Sequence, residues 1–240
     1  MIIDSHNHLG GPDKEDGARQ SVDEILSRME NAGVDIAIVF PFNEEPLTLA
    51  NMFISRAQRE HPDKLIGFVR LNPNDREMAI LEARKALTEY KLKGIKLHPT
   101  AQNFYPDHPF VLRIIETAAF YDVPVVFDNG KSASKNEEIA KLAKLVPEAK
   151  IILAHMRGEK YIEVCEENEN LYLGTVKAKP EDIVKALDVL GAEKLIAGSD
   201  SPYADMKYEM RDKFEDITSE KERELILGKN IAKLMNLSFP

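Results

Sequence analysis

Two histidines one residue apart, His6 and His8 in the stretch DSHNHLG, follow directly on Ile2 and Ile3. At the end of a buried strand such a pair shares one face, because successive side chains alternate, and Asn7 points away. Two adjacent imidazoles make a poor apolar core and a good half of a metal site. More polar residues stand at the ends of other apolar runs: Arg70, Lys96 with His98, Asp128, His155 and Asp200. Four of the six histidines belong to this set. Gathering so many polar groups in one place costs free energy unless each is paired, and a divalent cation supplies the pairing.

Each residue also has a plainer reading. An H-x-H pair arises by chance often enough to mean little alone; it gains weight beside a strand-end histidine and a strand-end aspartate. His98, before Pro99, is either a ligand or a hydrogen-bond partner of a loop. Lys96 is a ligand after carboxylation, a cation that binds substrate, or an ion-pair partner inside the fold. His61 and His108, each beside a proline, read as structural or solvent-facing.

The elements that must position these residues alternate along the chain. Buried-strand candidates are 1–6, 35–40, 65–71, 94–98, 123–128, 150–155, 170–175 and 194–200. Most are leucine-rich or β-branched without clean alternation, as in strands covered on both faces. Helical patterns lie at 21–33, 47–60, 75–92, 109–121, 135–146, 157–168, 180–190 and 219–236. The first opens on Ser21 and closes on Gly33, with Val22, Ile25, Leu26 and Met29 at helical spacing. Eight such units in 240 residues leave about 30 residues each, the length of a β/α repeat. The expected fold is therefore α/β, a (β/α)8 TIM barrel formed by residues 1–240 as one domain. An open doubly wound sheet shares the alternation, but HLGGPD at 8–13 lacks the glycine spacing of its phosphate loop. The longest irregular stretches, 8–20, 98–109 and 200–216, all follow strands, on the face where barrels keep their chemistry.

Composition narrows the function classes. A formal charge of −9, scattered along the chain, argues against broad nucleic-acid or anionic-membrane contact. No apolar run reaches the length of a membrane span, and no basic segment leads into a long apolar one, so no signal peptide is expected. The single cysteine, Cys165, excludes an internal disulfide and suits a reducing compartment, which makes a cytoplasmic location the expectation. The expected partner is a small molecule. Self-association is expected only on the general frequency of homo-oligomers.

Five motifs carry a family resemblance: DSHNHLG at the first strand, GIKLHPTAQNFYP after the fourth, IILAHMRG at the sixth, LIAGSDSPY at the eighth and LGKNIAKLMNL in the last helix. Together they resemble the amidohydrolase superfamily. The likeness is to its amidohydrolase-related branch, which includes hydrolases and metal-dependent decarboxylases such as aminocarboxymuconate semialdehyde decarboxylase. It implies a metallo-dependent hydrolase barrel with one or two divalent metals. The strand-1 pair of the family maps onto His6 and His8, its strand-6 histidine onto His155 and its strand-8 aspartate onto Asp200. Where the family commonly ends strand 5 in H-x-G, this chain has FDNG, so Asp128 takes that position. An aspartate binds divalent metals through oxygen but is shorter and lowers Lewis acidity.

The resemblance thus implies a metal-dependent hydrolase acting on a small polar ester, lactone or amide that bears a carboxylate. His6, His8 and Asp200 would bind the ion, zinc first and manganese as the alternative, with Asp128 as a fourth ligand or its close partner. Asp200 would also take a proton from bound water, and His155 would polarise the scissile group or act as general acid. Arg70, Lys96, His98 and Arg157 would contact the substrate, with Tyr105 and Tyr203 closing over it. The alternative is a non-oxidative decarboxylase on the same site. A second alternative is a metal-bound barrel that has lost activity with the strand-5 histidine.

Overall fold

The apolar runs pair side by side and all in parallel, as a computed structural model describing residues 1–237 shows. In chain order they are β1 (Ile3–Leu9), β2 (Ile36–Pro41), β3 (Leu65–Gly67), β4 (Val69–Arg70), β5 (Ile95–Leu97), β6 (Pro124–Phe127), β7 (Lys150–Leu153), β8 (Leu171–Gly174) and β9 (Leu195–Ile196). β3 and β4 together make the one strand expected at 65–71. At Phe68 this run passes from one neighbour to the other: Phe68 N–H donates to Val39 O on β2 at 2.8 Å, and Val69 N–H to Gly94 O before β5 at 2.9 Å. The ring closes where Ser5 N–H donates to Ala197 O at 3.1 Å and His8 N–H to Ser201 O at 2.8 Å. Eight barrel strands result, and the fold is the expected (β/α)8 barrel.

Helices α1 (Val22–Ala32), α2 (Leu47–Glu60), α3 (Glu77–Thr88), α4 (Pro99–Gln102), α5 (Pro109–Phe120), α6 (Asn136–Leu145), α7 (Tyr161–Glu167) and α8 (Pro180–Leu190) follow the strands in turn. α1 bears out its sequence signals: Ser21 and Glu24 form a capping box, and Gly33 ends the helix at φ 70°. Two stretches read as irregular contain short helices, α4 and then α9 (Met206–Met210). The expected last helix runs without a gap through α10 (Glu220–Glu224), a π-turn over Leu225–Lys229 and α11 (Asn230–Leu234).

Two apolar layers follow from strand alternation. Outward residues such as Val39, Ile95, Phe127, Leu153 and Leu173 pack against the helices. Inward residues Ile3, Ile38, Phe40, Phe68, Val126, Ile152 and Ile196 fill the barrel, closed at the strands' amino ends by Ile231, Ala232 and Leu234 of α11. Among the described residues no helix is long and apolar enough to cross a membrane.

Candidate metal centre

The inward face of several strands changes character toward the carboxyl end. On β4 and the residue before it, inward Phe68 is followed by Arg70; on β5 the inward positions are Lys96 and then His98; on β6 Val126 is followed by Asp128; and on β9 Ile196 is followed by Gly198 and Asp200. Strict alternation from inward Ile3 would aim Ser5 and Asn7 into the barrel and the histidines out. A β-bulge prevents this. Asp4 pairs with Ala37 and Asn7 with Val39, so Ser5 and His6 stand opposite a single residue of β2 and the phase flips. His6 and His8 therefore point inward, both buried.

The first and last strands are stitched together at this point. Asp4 Oδ1 accepts from Ser199 N–H at 2.9 Å and from His6 N–H at 3.1 Å. Burial raises the Asp4 carboxyl to about 6 despite these bonds. The approach of β9 to β1 needs a glycine at 198, since a Cβ there would lie 2.8 Å from His6 Cβ and 2.9 Å from Ser5 Oγ. Asp200 adopts φ 68°, a left-handed conformation rare for a residue with a Cβ. Its own N–H donates to His6 O at 2.8 Å, and its carbonyl accepts from Tyr203 N–H at 2.7 Å.

These constraints converge on three ligand atoms. Asp200 Oδ1 lies 3.5 Å from His6 Nε2 and 3.3 Å from His8 Nε2. All three residues can offer atoms within 4.8 Å of one another, a group able to hold a metal ion. Ligands about 2.0–2.1 Å from a tetrahedral ion stand about 3.3 Å apart, so the spacing fits. The charge states fit as well. Burial, with Lys96, His155 and His8 nearby, holds His6 well below its ordinary value, so its ring is neutral. Burial pushes the Asp200 carboxyl upward, but the His8 hydrogen bond and the neighbouring His8, His155 and Lys96 outweigh it and keep the group low and ionised. Two neutral imidazoles and a carboxylate suit a divalent cation.

Asp128, expected as a fourth ligand, stands apart from this group. Its Oδ2 accepts from Arg157 Nη2 at 2.7 Å and lies 3.2 Å from His155 Nε2 and 3.4 Å from His98 Nε2. Lys131 Nζ is 3.3 Å from Oδ1. Burial acts upward on this carboxyl, but the bond to His155 and the surrounding His98 and Lys96 hold it well below its ordinary value. The short aspartate side chain meets these neighbours and lies outside the three-residue group. Gly130 lets the loop after β7 come close behind it: a Cβ there would sit 2.3 Å from Arg157 O.

His155 is the most tightly held of the site residues. Its N–H donates to Asn129 Oδ1 at 2.8 Å, and its carbonyl accepts from Asn129 Nδ2 at 2.9 Å. Its Nδ1 lies 3.1 Å from Val176 O, an atom that only accepts, so Nδ1 carries a hydrogen. Nε2 faces the Asp128 carboxylate, also an acceptor, so this seat accommodates the ring with both nitrogens donating. Asn129 was not singled out from sequence; its place inside FDNG was the available signal.

The remaining expected residues fall into different positions. Lys96 is buried, with Nζ 3.1 Å from His6 Nε2 and 4.7 Å above the Phe40 ring; burial lowers it to about 7 although Asp128 opposes the shift. His98 caps α4, its Nδ1 accepting from Ala101 N–H at 3.1 Å, and burial drives it down to about 2. Arg70 is buried with Nη1 donating to Pro41 O at 3.2 Å, while Nε and Nη2 have no partner. Burial lowers it to about 10. Arg157 and Tyr203 line the same cavity of about 280 Å³, and the Tyr203 ring meets His8 edge-on at 5.4 Å. Tyr105, expected to close over the site, is 60% exposed and does not line it. Lys131, Lys177, Asp13, Glu15 and Asp16, which sequence reasoning passed over, do.

Comparison with known proteins identifies the family and the fold. The sequence profile of the amidohydrolase family matches residues 3–237. Among solved structures, 5-carboxyvanillate decarboxylase from Sphingomonas paucimobilis is 15% identical, with 99% of each chain covered and a TM-score of 0.79. A dihydroxybenzoic acid decarboxylase from Polaromonas sp. JS666, with bound manganese and the inhibitor 2-nitroresorcinol, is 18% identical over 100% of this chain and 98% of that one, TM-score 0.77. 4-Oxalomesaconate hydratase from Rhodopseudomonas palustris is also 18% identical, covering 98% of this chain and 96% of that one, TM-score 0.77. At such identities the likeness concerns the fold. No curated protein matches in sequence. The family profile spans nearly the whole described chain, from the first barrel strand past the last helix, and this chain belongs to the amidohydrolase family.

Proposed function

We propose that the protein is a metal-dependent lyase that removes carbon dioxide from a small substrate carrying two acidic groups. The observation that carries this reading is the Arg70 guanidinium, buried at the cavity with Nε and Nη2 free. Those two nitrogens form one edge of the guanidinium fork, the edge that grips a carboxylate through two parallel hydrogen bonds. Leaving it unpaired is costly unless a ligand completes it.

His6, His8 and Asp200 would hold the divalent ion. When bound, the ion supplies a fixed positive charge that holds substrate oxygens and draws electron density from the bond to be broken. A cation on the departing carboxylate would favour the ground state, because the charge leaves that group as the bond breaks. Arg70 therefore serves on the acidic group that stays. As the carbon–carbon bond breaks, its electron pair remains on the substrate carbon and neutral carbon dioxide departs. A proton from His155 Nε2 then replaces it, with Asp128 and Val176 O holding the ring in place. Arg157, Lys131 and Lys177 add positive charge to a mouth that also carries Asp13, Glu15 and Asp16.

The decarboxylases of similar fold support carbon dioxide loss over the hydrolysis that the sequence suggests first; both reactions would use the same residues. The donor set suits zinc, and the manganese of the Polaromonas decarboxylase makes that ion the alternative. The test is a panel of mono- and dicarboxylic acids, esters, lactones and amides offered to zinc- and manganese-loaded protein, with released carbon dioxide measured directly. Carbon dioxide from a dicarboxylate, lost in Arg70→Met, supports the reading. Turnover of esters, lactones or amides without carbon dioxide overturns it.

A further inference from the structure

Beyond the cavity, a buried ion pair grips the loop after β8. Glu209 on α9 and Lys213 one turn later are both buried, 5% and 4% exposed. Lys213 Nζ donates to Glu209 Oε2 and, at 2.8 Å, to the main-chain carbonyl of Thr175. Glu209 Oε2 in turn accepts from the Lys177 N–H at 3.0 Å. The pair therefore holds the peptide groups on either side of Val176. The carbonyl of Val176 is the acceptor that His155 Nδ1 meets at 3.1 Å.

The loop needs such a clamp. Ala178 N–H donates to Thr175 O at 3.0 Å, closing a tight turn in which Lys177 stands at φ 53°. That left-handed conformation is unfavourable for a residue with a Cβ and persists only where its surroundings over-determine it. Two apolar side chains would pack the same space at less desolvation cost than a buried ion pair. They could not supply a donor to Thr175 O and an acceptor to Lys177 N–H together.

We infer that Glu209 and Lys213 are positioning residues for His155: by fixing the Thr175–Lys177 main chain they aim the Val176 carbonyl at Nδ1, which keeps a hydrogen on that nitrogen and presents Nε2 to the cavity. The inference rests on His155 acting in the proposed reaction, yet its test reads the ring itself rather than turnover. Failure of the decarboxylase reading therefore leaves the result interpretable.

The experiment is nitrogen-15 and proton NMR of histidine-labelled protein, as purified and after chelation, with His155 assigned by loss of its signals in His155→Gln. Lys213→Met removes the donor to Thr175; Glu209→Asp keeps the charge but withdraws the acceptor from Lys177 N–H. Both should speed exchange of the His155 Nδ1 proton about tenfold, as expected for loss of one ordinary hydrogen bond, and shift the Nδ1 nitrogen and proton signals. Lys213→Arg, which keeps the donors, should restore the native signals. Asn168→Ala, a buried change at the carboxyl end of α7, should destabilise the fold without moving them. Native His155 signals in both clamp variants, or an equal shift in Asn168→Ala, would overturn the inference. Should neither clamp variant fold, hydrogen exchange at the Lys177 amide of the unaltered protein decides: protection close to that of global unfolding supports the clamp, and fast local exchange refutes it.

Discussion

Replacing Gly198 by alanine tests how the barrel sets its ligands without touching one. The new methyl would lie 2.8 Å from His6 Cβ, 2.9 Å from Ser5 Oγ and 3.0 Å from Val176 Cγ2. Ordinary contact begins at 3.4 Å, so His6 or its strand must retreat by roughly 0.6 Å. Overpacking of this kind costs about 1–3 kcal/mol of stability. The same displacement spoils a ligand spacing now set at 3.3–3.5 Å around Asp200 Oδ1. Metal affinity should fall about 10–100-fold, the loss typical when the support of a ligand is disturbed. Competition with a fluorescent chelator measures the affinity, and denaturant titration of the metal-free protein measures the stability. Gly67→Ala is the control: its methyl would meet Leu92 Cδ2 at 2.6 Å and Ile54 Cγ2 at 2.7 Å, away from the site. It should lower stability and spare the metal. Unchanged affinity in Gly198→Ala, or an equal loss in the control, would refute the argument that β9 fixes His6.

Two further predictions follow from buried charges. Arg70→Met removes a guanidinium that is buried with two unpaired nitrogens, so thermal stability should rise while affinity for carboxylate ligands drops by about 10–100-fold; a fall in melting temperature would mean that Arg70 is a structural residue. Asp4 has a folded value raised to about 6, so the folded state binds more protons than the unfolded one between about pH 4 and 6. Its contribution is fully present below the unfolded value and is lost as pH rises through the folded one. In metal-free protein Asp4→Asn, which keeps an acceptor for Ser199 and His6, should cancel that loss, worth up to about 3 kcal/mol at neutral pH; parallel stability–pH curves for the two proteins would contradict it.

Much of the site was legible because strand ends are local. An apolar run that stops at a histidine or aspartate shows where the inward face turns polar, and this located His6, His8, Asp128, His155 and Asp200. The phase of β1 was not legible, because the bulge at Ser5–His6 depends on pairing with β2 rather than on β1 itself. Asp128 illustrates a different limit. Its position in the motif suggested ligation, while its partners Arg157 and Lys131 come from loops whose approach only the folded barrel reveals. Glu209 and Lys213, four residues apart, have a spacing shared with solvent-facing charge pairs, and only tertiary packing buries them. Phe68 and the π-turn at Leu225–Lys229 escaped notice for the same reason, since each depends on neighbours in space.

Whether His6, His8 and Asp200 hold the ion can be seen by anomalous diffraction at the metal edge from crystals of metal-loaded protein. One dominant peak is expected within about 2.0–2.2 Å of His6 Nε2, His8 Nε2 and an Asp200 carboxylate oxygen. A peak held instead by Asp128 and His155, or none in protein shown by elemental analysis to carry metal, would contradict this assignment.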